Sequence, residues 1–143
     1  MQLNRMAPAW EGCEVTYVTT DPGFRDQVVP TTVGIERPQV RFYAITDANR
    51  WQKFRLLLSL VQITLILLRR RPDVVISTGA APGFFALRLA RLMGSRTVWV
   101  DSIANAEELS LSGKMIGPYC SLWLTQWEHL AKPEGPHYKG SVI

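Results

Sequence analysis

The feature that most constrains this chain is the unit PDVVISTGAAPGFFALRLARLMGSRTVWVDS, residues 72–102. A short β-branched run, PDVVIST, passes through small residues into an apolar helical segment, and a second β-branched run, RTVWVDS, follows directly. Short apolar strands separated by helices indicate parallel pairing, with helices covering the sheet. Gly79 to Gly83 are expected to form the turn into the helix FFALRLARLMG, and Gly94 to close it as a C-cap.

The same alternation extends in both directions. EVTYVTT (14–20) reads as a strand ending at the turn Asp21-Pro22-Gly23, and QVRFYAI (39–45) as a second strand. Asp47-Ala48-Asn49 are plausible caps for a long basic and apolar helix that follows. Beyond residue 102 come an irregular stretch, a short helix around Lys114 to Pro118, and two further runs, SLWLTQW (121–127) and HYKGSVI (137–143). With 47% apolar and 20% charged residues the chain is globular, and 143 residues suit one domain. The predicted fold is a doubly wound parallel α/β sheet in a single domain, 1–143.

The opening is atypical for that fold. MQLNRMAPAW places Leu3, Met6 and Trp10 at helical spacing, where doubly wound domains begin with a central strand and a glycine-rich loop. A sheet without that strand leaves unpaired backbone in its middle. The expectation is a chain lacking its first strand, either truncated at the amino terminus or with a misassigned start. Cys13 and Cys120 have neither CxxC spacing nor a histidine cluster around them, so no metal site or disulfide scaffold is expected, and a reducing cytoplasm is compatible.

The longest apolar block is FRLLLSLVQITLILL, residues 54–68. As a helix it measures about 22 Å at ~1.5 Å per residue, short of the ~30 Å of a bilayer core. Arg55, Ser59 and Gln62 make one thin polar stripe along it. Arg50, Lys53, Arg55, Arg69, Arg70 and Arg71 frame it, with no acid between Arg50 and Pro72. Two readings fit: a helix lying on an anionic membrane face, or a core helix with solvated ends. Nucleic acid is the weaker partner for these charges, which lack interleaved aromatics.

Candidate chemistry sits at the expected carboxyl ends of the strands. Gly113-Lys114 imitates the end of a P-loop, but Glu108 stands where its first glycine belongs and Met115 where its hydroxyl belongs. Gly79 and Gly83 fit either a phosphate-binding turn at a helix amino terminus or a merely tight turn. Asp101, Ser102, Asn105, Ser110, Ser112 and Lys114 could hold a sugar or phosphate, or form a solvated loop with helix caps. In TQWEHL, Trp127 could stack on a sugar with Glu128 or His129 as acid or base, or be a buried Trp between surface residues.

Taken together, RPDVVISTGAAPGFFALRLARLMG, VWVDSIANAEELSLSGKMIGPYCSLWLTQWEHL and YKGSVI resemble one family. It is the membrane-recruiting subunit of the two-part UDP-N-acetylglucosamine transferase that extends dolichyl-diphosphate-GlcNAc, together with bacterial PssD-type subunits of exopolysaccharide synthesis. The resemblance runs from about Val15 to the end. It implies the Rossmann-like amino-terminal half of a GT-B glycosyltransferase, acting on the acceptor side of the cleft. A separate small catalytic subunit would carry most of the UDP-sugar site, so no cofactor is expected on this chain. The acceptor would be a polyprenyl-diphosphate-linked glycan, and the location peripheral, on the cytoplasmic face of the membrane. Asp101 is the implied base; Gly79, Gly83, Ser102, Asn105, Ser110, Ser112 and Lys114 the acceptor or phosphate side; Trp127 and Glu128 the cleft or partner side. The donor is GlcNAc by the eukaryotic likeness and glucuronic acid by the bacterial one. The Gly-Gly-His-like loop that family members carry after their first strand has no counterpart here, in keeping with the expected incomplete start; its histidine is the rival base. A non-catalytic membrane-docking scaffold and a self-sufficient Rossmann-type enzyme are the competing readings.

Overall fold

The computed structural model describes residues 2–28, 40–48 and 51–142. In chain order its regular elements are α1 (Gln2–Met6), β1 (Val15–Thr19), α2 (Arg25–Val28), β2 (Val40–Ala44), α3 (Lys53–Arg70), β3 (Val74–Ser77), α4 (Ala80–Leu92), β4 (Arg96–Val100), α5 (Leu111–Ile116), β5 (Leu122–Thr125) and β6 (His137–Tyr138). All strand pairs are parallel. They form a four-stranded sheet in the order β3-β4-β5-β6 and a separate pair, β1-β2. The parallel α/β expectation is met.

Burial explains why β4 is central. Thr97, Trp99 and Val100 are buried, and Trp99 is fully so. Strands β3 and β5 each bury only one residue, Ser77 and Thr125. Helix α4 lies over this sheet and unites two apolar clusters. Ala90 packs with Ile45, Ile63 and Leu67, while Leu87 packs with Trp99 and Ile116; Val75 touches both groups.

Several boundaries differ from expectation. Helix α4 begins at Ala80, so the turn after β3 is only Thr78-Gly79, and Gly83 lies inside the helix. A Cβ on Gly83 would sit 2.0 Å from Ser77 Oγ. Gly83 therefore lets the helix press on β3 rather than bending the chain. The C-terminal stop is as expected: Gly94 has φ 86°, with Ser95 N donating to Ala90 O and Gly94 N to Arg91 O, a Schellman closure. Helix α5 starts at Leu111, ahead of Lys114, because Ser110 Oγ caps it by accepting from Gly113 N at 2.9 Å. The final strand is two residues long, since Ser141 and Val142 instead bond the Gln126 backbone and side chain. The predicted opening helix is split: α1 ends at Met6 and a 3-10 turn over Ala7–Trp10 carries Pro8.

The orientation of α3 is the main surprise. Its polar stripe faces partly inward: Ser59 is 1% exposed, and Gln62 Oε1 accepts from Thr46 N at 2.8 Å. Phe54, Leu57, Leu58, Val61, Leu65 and Leu68 are all exposed. At 3.6 residues per turn these six fall within an arc of about 100°, flanked by Lys53 on one side and Arg69 on the other. Only Ser59, Ile63 and Leu67 are fully buried along the helix.

Candidate functional site

The polar residues singled out in the sequence converge at the carboxyl ends of β4 and β5. Asp101 follows β4 directly, and its N–H donates to Leu124 O, extending the ladder by one bond. Its side chain is 1% exposed. Oδ1 accepts from Ser102 N at 3.0 Å and from Asn105 Nδ2 at 2.9 Å, and Oδ2 accepts from Ser110 N at 3.0 Å. One carboxylate thus ties both ends of the 101–110 loop together. The residue expected as a base lies below the surface with both oxygens engaged, whereas a base must reach the hydroxyl it deprotonates.

The loop is pinned from outside as well. Gln2 Nε2 donates to Asp101 O, and Gln2 Oε1 accepts from Ile103 N. Trp127 Nε1 donates to Ile103 O at 2.9 Å, and His129 Nε2 lies 2.6 Å from Ala106 O. Trp127 and His129 rings are 6.0 Å apart. Trp127 is therefore half-buried as a clamp on the loop, while Glu128 beside it is exposed. Ser102 Oγ accepts from Ala104 N, closing a local turn.

Gly113 makes this packing possible. A Cβ there would stand 2.8 Å from Ser110 Oγ and 2.9 Å from both Asp101 Oδ2 and Trp99 Nε1. The Gly-Lys pair that imitates a P-loop is thus a glycine needed for close approach, followed by an exposed cation. Lys114 Nζ is bound to Glu108 Oε2 at 2.9 Å. That hydrogen bond, and then the ammonium's charge, hold the Glu108 carboxyl below its usual range. Ser112 is half-buried in the first turn of α5.

The turn after β3 lies at the same edge of the sheet. Gly79 has φ 146° and Ala80 φ 65°, and Ser77 Oγ accepts from Gly79 N. Gly83, also expected to meet ligand, is turned to the sheet. Sequence reasoning missed Gln2, Gln126, Trp99 and the clamping role of His129. Gln126, 2% exposed, accepts from Val142 N and holds the carboxy-terminal segment beside β5. Only its place after an apolar run could have hinted at that. Of the basic residues assigned to the membrane face, Lys53, Arg55, Arg69 and Arg71 are exposed. Arg70 is instead half-buried, with Nε 2.9 Å from Tyr43 OH and its guanidinium over that ring. Arg50 lies outside the described residues. No helix among the described residues is long and apolar enough to cross a membrane, and none of them group as metal ligands.

A parallel sheet with polar loops gathered beyond its carboxyl edge defines a Rossmann-like α/β unit. Its backbone matches MurG of Acinetobacter baumannii with a TM-score of 0.69 at 12% identity, over 98% of this chain and 40% of that one. The fold is that of the amino-terminal, Rossmann-like half of this GT-B protein. The chain belongs to the family described as "Oligosaccharide biosynthesis protein Alg14 like", which matches residues 41–142. It is similar to proteins named UDP-N-acetylglucosamine transferase subunit ALG14 from three fungi. Identity is 34% over 82 residues for Yarrowia lipolytica, covering 52% of this chain and 38% of that one. It is 33% over 93 residues for Cryptococcus neoformans (60% and 41%) and 37% over 77 residues for Schizosaccharomyces pombe (50% and 37%). The matched regions thus span about two-fifths of those relatives.

Proposed function

We propose that this chain is the acceptor-side subunit of a two-part transferase that moves a sugar from a UDP donor to a polyprenyl-diphosphate-linked glycan. Membership of the Alg14-like family carries this reading, because the curated relatives are named as subunits of a UDP-N-acetylglucosamine transferase. A subunit implies a second polypeptide, and the reading gives that partner most of the UDP-sugar site. GlcNAc is the favoured donor by the relatives' names, with glucuronic acid as the alternative.

The surface of α3 supports a peripheral membrane location, which this reading puts on the cytoplasmic face. Six apolar side chains point outward between cations, an arrangement that costs free energy in water and gains it at an anionic lipid boundary. A lipid-linked acceptor requires an enzyme held at that boundary.

In this reading the 101–110 loop and the first turn of α4 face the acceptor. Asp101 acts as a positioning residue, holding the loop through three N–H donors, rather than as the base. Ser102, Asn105, Ser110, Ser112 and Lys114 shape the acceptor side. The amides at Gly79 and the start of α4 would favour a diphosphate. Trp127 and Glu128 face the partner or cleft. The engagement of Asp101 also favours, as a second reading, a non-catalytic docking scaffold.

The test is transfer of radiolabelled sugar from UDP-GlcNAc and UDP-glucuronic acid onto membrane lipid. It is run with this chain alone, with its candidate small partner alone, and with both. Transfer only in the mixture supports the two-part enzyme and identifies the donor. Transfer by this chain alone makes it self-sufficient and removes the two-subunit reading. A formed complex that transfers nothing leaves the scaffold. If the partner works equally well without this chain, the acceptor-side role is lost.

A further inference from the structure

A groove of about 610 Å³ runs over the outer face of α4, between α3 and the end of α5. Leu60 of α3, Phe84, Phe85 and Leu89 of α4 and Met115 of α5 line it. Phe84 and Phe85 meet edge to face, with centroids 5.5 Å apart. The polar atoms of its lining side chains belong to Arg88 and Tyr119, whose guanidinium and ring stack at 5.6 Å on the rim.

Position gives this groove a direction. Helices α4 and α5 both start at the carboxyl edge of the sheet, so their first turns border the polar loops. Phe84 and Phe85 lie four and five residues into α4, about 6–8 Å from its start. At its other side Leu60 adjoins the exposed apolar arc of α3, next to Leu57 and Val61. The groove therefore lies between the α3 face and the helix turns that follow the loop edge.

Its lining also selects the occupant. An extended peptide segment would bring backbone N–H and C=O groups, each needing a partner once removed from water. Two polar side chains at one rim cannot supply those. A hydrocarbon chain brings no such demand, and none of the seven lining residues is acidic, so the lining does not repel the diphosphate joined to that chain.

We propose that this groove binds the isoprenoid units next to the diphosphate of a polyprenyl-diphosphate-linked acceptor. It would guide the chain from the bilayer at α3 to the loop edge at Ser102–Ser110. The site rests on the lipid-linked acceptor of the transferase reading, and adds to it a lipid-chain subsite on this chain.

The experiment is photolabelling of the full chain with benzophenone-bearing geranylgeranyl diphosphate, mapped by peptide mass spectrometry. Labelling is expected on residues 84–89 and 115–119. Unlabelled geranylgeranyl diphosphate should compete, while phosphatidylglycerol vesicles and inorganic diphosphate should not. The double variant Phe85→Ser/Met115→Ser should lower groove labelling about tenfold, through the apolar contact it removes. Phe85→Trp, which fills the groove instead of emptying it, should also block labelling and guards against loss by misfolding. Equal competition by phosphatidylglycerol would mean general lipid adhesion and overturn the site. Labelling spread along α3, or unchanged in both variants, would overturn it too. Groove labelling with no sugar transfer by the complex formed with the partner would leave the subsite standing and remove the transferase; transfer by that complex with no groove labelling would do the reverse.

Discussion

At the scale of single residues, Asp101 decides between two kinds of chemistry. A base can lose its charge with little effect on the fold, whereas a buried carboxylate holding three donors cannot. In Asp101→Asn, one oxygen becomes an NH₂ that must face a donor, either Ser110 N or the Ser102 N and Asn105 Nδ2 pair. The expected cost is about 1–3 kcal/mol of stability. It should be measured by urea unfolding, with faster hydrogen exchange at the Ser102 and Ser110 amides. A variant that loses transfer while keeping stability and exchange rates would restore Asp101 as the base. The two cysteines make a second contrast. Burial raises the Cys120 thiol above its ordinary value, outweighing a lowering contact with Thr97 and the charge of Arg91, while Cys13 is exposed. At mildly alkaline pH, iodoacetamide should therefore alkylate Cys13 well before Cys120, as read by peptide mass spectrometry. The sign for stability follows: Cys120 favours the folded state below the unfolded thiol's pKa. That contribution falls away as pH rises through the higher folded value.

At the scale of elements, α3 separates what exposure does from what burial does. Val61 and Leu65 stand 47% and 61% exposed, while Ile63 between them is 3% exposed. Val61→Asp/Leu65→Asp should leave the folded state within about 0.5 kcal/mol per site, since neither is a packed core position. Binding to phosphatidylglycerol vesicles should fall steeply in a flotation assay. Wild-type binding should itself weaken with added salt, because the flanking cations act through a screened field. Ile63→Ala should behave oppositely, costing about 2–5 kcal/mol while vesicle binding by the folded fraction persists. A helix whose Val61 and Leu65 variants unfold the protein and whose vesicle binding is unchanged would be a core helix after all.

The same helix shows what could be read from sequence. Its length, cations and thin polar stripe were visible, but the direction of that stripe was not. Periodicity fixes which residues share a face and leaves open which face meets the sheet. The parallel strands were legible because β-branched runs and Gly94 punctuate them. Gly83 was not: a helical glycine pressed against Ser77 looks, in sequence, like part of a turn. At the loop, the polar residues were found, and three of them, Ser102, Asn105 and Ser110, are hydrogen-bonded to Asp101. The closures by Gln2 and Gln126 were invisible, because each joins segments about 100 and 16 residues apart through a single side chain.

At the scale of the whole molecule, stability should be unevenly shared. The four-stranded sheet contains the buried run of β4 and lies beneath α4, whose residues enter both apolar clusters. The β1-β2 pair has five registered residues on each strand, none of them fully buried. Two strands by themselves are marginal in water. The links to the rest include Ile45 after β2, which packs on Ile63 and Leu67, and the Arg70–Tyr43 contact. Local opening free energies follow buried apolar contacts, so the pair should open without the larger sheet. Hydrogen exchange followed by mass spectrometry should show Thr97 to Val100 amides protected to near the global unfolding free energy, and Thr16 to Thr19 amides exchanging by a cheaper, local route. Ile45→Ala should speed exchange in 15–19 and 40–44 more than in 96–100, because it loosens the joint without touching the Leu87–Trp99–Ile116 cluster. Equal acceleration in all three segments would mean a single cooperative unit, with β1 and β2 held as firmly as the sheet that carries the loop.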